Sequence, residues 1–448
     1  MRCLTVLFAL GLCCISTGAE VLDVYPDGSG PFPDLEQAVL AAQSGDSLRM
    51  GAGIFSGAGN RNIVLGGMEL TIFSAGGDPD ECVIDVEGEG RAFFVYSLPG
   101  TDVRIEGITV RGGDPGELPP DLFQGYGGGL AVNGLAPGGM TRVDRCVFEG
   151  NVADAGAGAF LYECEAAFTA CRFHHNTATD GAGAYCGQCE VGDGIRFERC
   201  VLYANDYPSP SVGGYGAGIY FSHSRGRVTS CTLALNSAWL GGGLLVSTGS
   251  DVGVERCLVA FSLEGQGVAV NAGAVEISHC DIFGNQDGDW VGPIAEWFGI
   301  DCNMSVDPIF CDAAAGEFTL RDDSPCLPEN SAGCGLIGAL DEGCTATGVA
   351  ILPADGHLRL EAPHPSPFRS ALAITYALAR SGRARLRVFD PAGRPVVTLV
   401  DEWVRGGEPR VAEWRGTDTL GRPLPGGVFF LRLEADGASY LRRAVLIR

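Results

Sequence analysis

The stretch from residue 146 to residue 184 contains one pattern twice. CVFEGN at 146–151 is followed by GAGA at 156–159, and CRFHHN at 171–176 is followed by GAGA at 181–184. The cysteine of this pattern recurs at intervals of 23 to 31 residues, at Cys146, Cys171, Cys200, Cys231, Cys257 and Cys280. A period of this length indicates a repeat architecture in which each copy stacks on its neighbours.

Other residue types recur at fixed distances along the sequence from each of these cysteines. An apolar residue follows two positions later, and a small polar residue follows five positions later, at Asn151, Asn176, Asn205, Asn236, Ser262 and Asn285. Asparagine supports tight turns, and asparagines stacked at the strand spacing of about 4.8 Å bond to one another. Small Cys, Gly and Ala side chains at other phases suit a narrow core. The sequence therefore predicts an all-β, three-sided parallel β-helix with a column of cysteines and a ladder of asparagines.

Charge divides the chain into two unlike modules. The 448 residues include 30 Lys+Arg, all of them Arg, against 55 Asp+Glu, which gives a formal charge of −25. This balance argues against nucleic acid as a partner, and the lack of lysine excludes Schiff-base mechanisms. Residues 357–448 nevertheless contain 15 Arg and 9 acidic residues. We therefore predict a β-helix at 20–345, a linker at 346–356 and a second domain at 357–448.

The first 19 residues have the pattern of a secretory signal peptide. Arg2 precedes an apolar run from Leu4 to Ile15, and small residues lead to a cleavage site after Ala19. The apolar run is too short to span a bilayer, and no later segment is long enough, so we expect no transmembrane segment in the mature chain. The predicted location is secreted or at the cell surface, associated with the outer membrane, where disulfides are permitted.

The repeats resemble right-handed parallel β-helix proteins of the pectin-lyase-like superfamily, and particularly polymorphic outer-membrane-protein type repeats. The resemblance covers roughly residues 20–345. YPDGSG at 25–30 and FPDLEQAV at 32–39 match the segment that forms a capping helix in this family. The resemblance implies an N-terminal helix over the open end of the solenoid. Many members cleave acidic polysaccharides, but the polygalacturonase-like motifs do not occur in this sequence.

Residues 357–448 alternate apolar and polar positions in about seven short runs, which is typical of a β-sandwich. VFDPAGR at 388–394 and LPGGVF at 424–429 resemble the immunoglobulin-like C-terminal module related to the flagellar hook-capping type. Such modules are found at the ends of exported bacterial proteins. The resemblance implies a sorting or attachment role and, as a partner, the export machinery.

Cysteines outside the repeat column predict disulfides rather than a metal site. CLPENSAGC at 326–334 closes a small loop, which makes Cys326–Cys334 the best single pair. Cys186 and Cys189 form a C-x-x-C motif, for which structural pairing is favoured because no second pair at zinc spacing is evident. We therefore predict no metal ligands.

A candidate binding wall follows from the loops after the asparagine position. Insertions at 113–128, 206–215 and 286–300 leave from the same corner of the repeat, and this corner carries Tyr126, Tyr207, Tyr215, Trp239, Trp290 and Trp297. Asp154 and Asp180 are expected to stack one turn apart there, with a shared cation or one raised pKa. Aromatic rings would contact sugar faces, and carboxylates would bind hydroxyl groups or Ca²⁺.

The leading functional expectation is therefore non-catalytic adhesion or binding of a cell-surface or extracellular glycan. The alternatives are a polysaccharide lyase or glycoside hydrolase acting on acidic polysaccharide, and a structural envelope protein. No catalytic residue is predicted. No cofactor is predicted either, with Ca²⁺ as the alternative.

Overall fold

The computed structural model describes most of the chain. The described residues are 18–118, 124–134, 138–209, 213–345, 359–360, 368, 371–378, 382–389, 394–404, 410–419, 421–435 and 438–447. Residues 1–17 of the predicted signal peptide and the predicted linker lie outside them. The chain divides into two compact units, residues 1–306 with 331–340 and residues 307–330 with 341–448. The domain limits drawn from the sequence stay a prediction.

The first unit is a right-handed parallel β-helix with three sheets, as predicted. The chain passes through sheets 1, 2 and 3 in that order in each turn, and every strand pairs in parallel with the equivalent strand of the next turn. Sheet 1 contains Val21–Val24, Ser47–Met50, Leu70–Ser74, Val103–Glu106, Met140–Asp144, Glu165–Thr169, Ile195–Glu198, Arg225–Thr229, Asp251–Glu255 and Ala274–Ser278.

Sheets 2 and 3 complete each turn. Sheet 2 contains Gly53–Phe55, Cys82–Asp85, Thr109–Arg111, Val147–Glu149, Arg172–His174, Val201–Tyr203, Thr232–Ala234, Leu258–Ala260 and Asp281–Phe283. Sheet 3 contains Ile63–Gly66, Phe93–Ser97, Leu130–Gly134, Ala159–Tyr162, Ala184–Gly187, Ile219–Ser222, Leu244–Ser247 and Val268–Asn271. Two more strands, Val152–Ala155 and Thr177–Asp180, pair at the corner between sheets 2 and 3.

The repeated cysteines line the turn between sheets 1 and 2, and all of them are buried. Each follows a residue with a left-handed backbone, such as Ala170 with φ 53° before Cys171. The Cys171 thiol donates to the Val143 carbonyl of the preceding turn at 3.3 Å. Burial raises the pKa of Cys146 to about 12. The predicted inward column of buried cysteines is confirmed.

The asparagine ladder is also confirmed. Asn151, Asn176, Asn205 and Asn236 are fully buried in the turn after sheet 2. The side-chain amides of the first three each donate to the Oδ1 atom of the next asparagine, at 3.0, 3.0 and 2.9 Å along the series. Because each Oδ1 atom also accepts from a backbone N–H of the preceding turn, the ladder satisfies polar groups that the tight turn leaves without partners.

The predicted capping helix covers the first turn. It spans Leu35–Ala41 and begins after Asp34, whose carboxylate accepts from the Gln37 N–H at 2.9 Å. Leu35, Ala38 and Val39 join the solenoid core. Short 3₁₀ turns elsewhere lie at Ala58–Asn60, Pro79–Glu81, Pro115–Glu117, Gly292–Trp297 and Ala313–Ala315. No helix among the described residues is long and apolar enough to cross a membrane.

The disulfides differ from the prediction. Cys334 is bonded to Cys302, with 5.8 Å between the Cα atoms, and a second bond joins Cys311 to Cys344. The predicted Cys326–Cys334 bond is therefore wrong, because the bond is formed across a 32-residue separation instead of across the short loop. Cys326 is fully buried and lies outside both disulfides. Cys186 and Cys189 are buried without a disulfide as well.

The second unit contains small sheets. Phe310–Asp312, Glu317–Arg321 and Glu342–Cys344 form a mixed sheet. Arg359–Leu360, Leu372–Ala377 and Arg410–Trp414 form an antiparallel sheet of three strands. A four-stranded antiparallel sheet has the order Pro395–Val404, Gly382–Phe389, Gly427–Ala435 and Ala438–Leu446. The last two sheets share one core, in which the Trp414 ring contacts Phe368 and Phe429.

Candidate functional site

The outer surface of sheet 3 is rich in aromatic side chains. We call the following set the aromatic face: Phe94, Tyr96, Phe160, Tyr162, Tyr185 and Tyr220. These side chains lie on the side of sheet 3 away from the solenoid core, because the residues that alternate with them, such as Leu161 and Cys186, belong to that core. Phe94 and Phe160 are nevertheless buried, at 2% and 5% exposed, in a small cluster of their own, and the four tyrosines are partly buried. Strand pairing aligns Phe160, Tyr185 and Tyr220 in one row along the solenoid.

The rings of the aromatic face lie nearly parallel. The Phe160 ring is 3° from the plane of Tyr162 and 5° from the plane of Tyr185, with centroids 6.2 and 5.4 Å apart. Tyr126 stacks on Phe160 at 4.9 Å, and Tyr220 meets Tyr185 edge-on at 5.2 Å. Such packing orients the rings before any ligand binds, so little side-chain freedom is lost on binding.

Glycines hold the corner backbone against this face. Gly156 and Gly181 have φ values of 62° and 56°, which glycine adopts without strain. A Cβ atom on Gly156 would lie 2.8 Å from the Phe160 Cβ atom, and one on Gly181 would lie 2.8 Å from the Tyr185 Cα atom. The GAGA pattern is therefore needed where the corner backbone approaches the aromatic side chains.

The structure aligns three of the predicted site residues in one row at this corner. Parallel bridges align Tyr126 with Ala155, Asp180 with Tyr215, and Tyr215 with Leu240. Tyr126 is 39% exposed. This row lies beside the aromatic face, so Tyr126, Asp180 and Tyr215 form its border.

The predicted stacking of Asp154 on Asp180 is wrong. Asp180 pairs with Ala155, one position away from Asp154, so the two carboxylates point to opposite sides of their strands. Asp154 is exposed and lies against Gly125, where an added Cβ atom would be 2.3 Å from its Oδ2 atom. The structure therefore places Asp154 beside Tyr126 rather than above Asp180.

Tyr207 and Trp239 lie at the same corner. The ring of Tyr207 is buried, and its hydroxyl donates to Glu264 Oε2 at 2.6 Å. This hydrogen bond to a carboxylate raises the pKa of Tyr207 to about 12. Trp239 is 62% exposed, and its ring lies 6.2 Å from that of Tyr215. Trp239 and Tyr215 are thus available to a ligand, whereas Tyr207 anchors the loop.

Trp290 and Trp297 are placed elsewhere. Both are partly buried and pack against the solenoid core near the last sheet-3 and sheet-1 strands. The Trp290 Nε1–H donates to the Met304 carbonyl at 2.9 Å. Their insertion leaves from the predicted corner but folds over the end of the solenoid, so they cover the last turn instead of extending the corner.

Asp180 is the titratable group whose environment is most perturbed at this corner. Burial raises the pKa of Asp180 from 3.8 to about 6. We expect Asp180→Asn to raise the free energy of unfolding by about 2 kcal/mol at about pH 7.5 and to change it little at about pH 4. Between the unfolded and folded pKa values, the folded carboxyl holds a proton that the unfolded chain has released. Wild-type stability therefore falls as pH rises through this window.

The measurement is denaturant unfolding of both chains across this pH range. Asp193→Asn is the matched control, because the Asp193 carboxylate is 78% exposed and pairs with Arg196. Parallel pH profiles for wild type and Asp180→Asn would contradict the expectation.

A second titratable cluster lies on the outer face of sheet 2. His174 Nε2 is 3.5 Å from Glu149 Oε2, and the His174 ring stacks on Tyr203 at 4.8 Å. Burial, with a smaller contribution from neighbouring His175, lowers the pKa of His174 to about 4. Nearby Arg172 is ion-paired with an aspartate of the 3₁₀ turn at Pro79–Glu81. Among the described residues, no group of three His, Cys, Asp or Glu side chains could hold a metal ion.

The aromatic face itself was not identified from the sequence. Its signal is the aromatic residue at a constant phase after the glycines, in GAF at 158–160, GAY at 183–185 and GIY at 218–220. Period-2 alternation from the buried Leu161 and Cys186 places Phe160 and Tyr185 outside. The residues predicted for the site lie in the loops, whereas those of the aromatic face lie in the adjoining strands.

Comparison with a protein-family model agrees with the fold. Residues 131–292 match the family model described as "Right handed beta helix region". No curated protein sequence matches the chain. Dimeric latent PorU from Porphyromonas gingivalis is 18% identical with a TM-score of 0.17, over 20% of this chain and 9% of that chain. A pectin methyl esterase of the rice weevil is 12% identical with a TM-score of 0.25, over 52% of this chain and 76% of that chain.

The two structural likenesses are weak, and the chain spans less than a tenth of the length of the first of these proteins. The family-model match covers most of the stretch in which cysteine and asparagine recur. Residues 131–292 are therefore a right-handed β-helix region.

Proposed function

We propose that this chain is an exported, secreted or cell-surface protein that binds a glycan without cleaving it, through the aromatic face. The partly buried rings of Tyr162, Tyr185 and Tyr220 carry the proposal, together with the exposed rings of Tyr126 and Trp239 at the neighbouring corner. Aromatic rings offer an apolar surface of the kind that the C–H face of a sugar ring covers, and tyrosine adds a hydroxyl for hydrogen bonding. A rigid solenoid supports such a surface on regular strands rather than on mobile loops.

Two further features support display outside the cell. The N-terminal 19 residues have the pattern of a signal peptide. We propose that the C-terminal module is immunoglobulin-like and serves sorting or attachment. Its three- and four-stranded antiparallel sheets around one core support this proposal, together with the resemblance at 388–394 and 424–429.

The test is a glycan array with the whole chain, with and without Ca²⁺, followed by calorimetry on any hit. Tyr185→Ala is expected to weaken binding about fivefold, because one aromatic contact contributes about 1 kcal/mol. Tyr203→Ala is the matched control, since Tyr203 is a half-buried tyrosine on the outer face of sheet 2. An equal loss of affinity in both variants would contradict the assignment of glycan binding to the aromatic face.

The same hits are assayed for new reducing ends and unsaturated products. Product formation by wild type would overturn the non-catalytic proposal and favour the lyase or hydrolase alternative. A chain that binds no glycan on the array, although it unfolds cooperatively, would favour a structural envelope role.

A further inference from the structure

The outer face of sheet 2 carries two consecutive histidines whose rings face each other. His174 ends the strand Arg172–His174, and its side chain lies on the outer side because the preceding Phe173 belongs to the core. His175 would point inward in a regular strand, but its left-handed backbone, with φ 56°, ends the strand and brings its ring beside that of His174. The Nδ1 atoms of the two rings are 3.0 Å apart.

Neighbours in the adjacent turns hold the two rings in place. In the next turn, Tyr203 aligns with His174, and its ring stacks on His174 at 4.8 Å and meets His175 edge-on at 5.7 Å. In the preceding turn, Glu149 aligns with His174, and its Oε2 atom is 3.5 Å from His174 Nε2. The His174 ring is therefore fixed with Nε2 toward a carboxylate and Nδ1 toward the exposed His175.

The charges around the histidine pair favour a cation. Arg111, which aligns with Glu149, is ion-paired with Asp85 at 2.9 Å. Arg172, on the outer side of the same strand as His174, is ion-paired with Asp80 at 2.8 Å. Because these two arginines are already paired with aspartates, the Glu149 carboxylate adds a negative charge beside the imidazoles.

The carboxylate also selects the form of the His174 ring. A neutral imidazole has one N–H and one nitrogen lone pair, and Glu149 favours the proton on Nε2 of His174. The lone pair of His174 Nδ1 then faces His175. When the His175 proton resides on its Nε2 atom, two lone pairs converge on one point. A ligating histidine whose other nitrogen faces a carboxylate is common in metal sites, because the carboxylate fixes the ring and makes the ligating nitrogen more basic.

We propose that His174 and His175 bind a Cu²⁺ ion through their Nδ1 atoms. Two ligand atoms at about 2.0–2.1 Å from a metal ion lie roughly 2.9 Å apart at a right angle and roughly 3.3 Å apart at the tetrahedral angle. The 3.0 Å separation therefore fits neighbouring corners of square-planar Cu²⁺ better than tetrahedral Zn²⁺.

This site has two protein ligands and open positions. Within the described part of the chain, no third His, Cys, Asp or Glu side chain completes the set, so water or a ligand donor atom fills the remaining positions. The site departs from the sequence-based expectation of no metal ligands, and it does not depend on glycan binding.

The test is a titration of Cu²⁺ into the whole chain without a histidine tag, against glycine as the competing chelator, with electron paramagnetic resonance of the complex. We expect a single tightly bound Cu²⁺ ion whose spectrum shows coupling to two imidazole nitrogens. Zn²⁺ is expected to bind at least about tenfold more weakly.

Three variants locate the ion. His175→Asn is expected to weaken Cu²⁺ binding about a hundredfold and to remove one nitrogen coupling, while asparagine tolerates the left-handed backbone of the turn. Glu149→Gln keeps both ligands and is expected to weaken binding about tenfold with the two-nitrogen spectrum intact. His223→Gln is the matched control, because it removes a histidine that follows the sheet-3 strand Ile219–Ser222 and should change nothing.

Unchanged affinity and an unchanged spectrum in His175→Asn would overturn the proposal, as would a wild-type chain that binds no Cu²⁺. A spectrum of sulfur ligation, or reduction to Cu⁺ by the buried cysteines, would assign the copper to thiols and also overturn it. Tighter binding of Zn²⁺ than of Cu²⁺ would contradict the choice of metal. Denaturant unfolding of each variant checks that the turn still folds.

Discussion

Replacing Asn205 by alanine is expected to lower the free energy of unfolding by about 4 kcal/mol. The Asn205 side chain donates to Phe173 O at 3.0 Å and to Asn236 Oδ1 at 2.9 Å. It also accepts from the backbone N–H and the side-chain amide of Asn176, at 3.2 and 3.0 Å. Alanine would leave buried polar groups of two neighbouring turns without partners, and each such group costs about 1–3 kcal/mol.

The chain offers a matched control at the same phase of the repeat. Ser262 is buried in place of an asparagine, and its hydroxyl has no hydrogen-bond partner among the residues that the structure describes. Ser262→Asn would extend the ladder from Asn236 and is expected to stabilise the chain by about 1 kcal/mol. Denaturant unfolding of wild type and both variants checks the pair. A loss below about 1 kcal/mol for Asn205→Ala would show that the ladder contributes little.

Phe173→Ala is expected to lower the free energy of unfolding by about 3–5 kcal/mol. Phe173 is fully buried, and its ring stacks on Phe148 at 4.9 Å. Edge contacts join it to Phe168 at 5.5 Å and Phe197 at 6.1 Å. Because these rings belong to three successive turns, the cavity would also weaken the interfaces between neighbouring repeats, on which a solenoid depends.

Leucine is the informative control at this position. Leu202 aligns with Phe173 in the next turn and is fully buried there, so a leucine is compatible with this phase of the core. Phe173→Leu is expected to cost less than about 1.5 kcal/mol. Thermal and denaturant unfolding of the two variants separates cavity formation from a general intolerance of substitution. Equal losses for alanine and leucine would contradict the packing argument.

Local patterns were sufficient for the solenoid and its capping helix. The recurrence of Asn151, Asn176 and Asn205 predicts a ladder because residues at one phase of a repeat stack, whatever the details of the turn. The recurrence of the six cysteines predicts a buried column for the same reason. The amphipathic segment at 32–39 predicts the capping helix. Each of these features depends on neighbours that the repeat itself brings together.

The candidate site was only partly predictable. Tyr126, Asp180 and Tyr215 do meet at one corner, because their loops leave from one phase of the repeat. The predicted stacking of Asp154 on Asp180 is wrong because Asp180 pairs with Ala155, the residue after Asp154. A one-residue difference in register places a side chain on the opposite side of its strand. Loop length alone carries no information about which side the loop folds toward, which is why Trp290 lies at the end of the solenoid.

By itself, the sequence determined the repeat period and the buried ladders, because these depend on residue type and phase. Only the tertiary structure decided the Cys302–Cys334 bond, the register at Asp180 and the assembly of Phe160, Tyr162 and Tyr185 into one face. The physical reason is that a disulfide, a strand register and a ring stack each require two groups to approach within a few ångströms. That approach is set by the closure of whole turns around the core rather than by the local sequence.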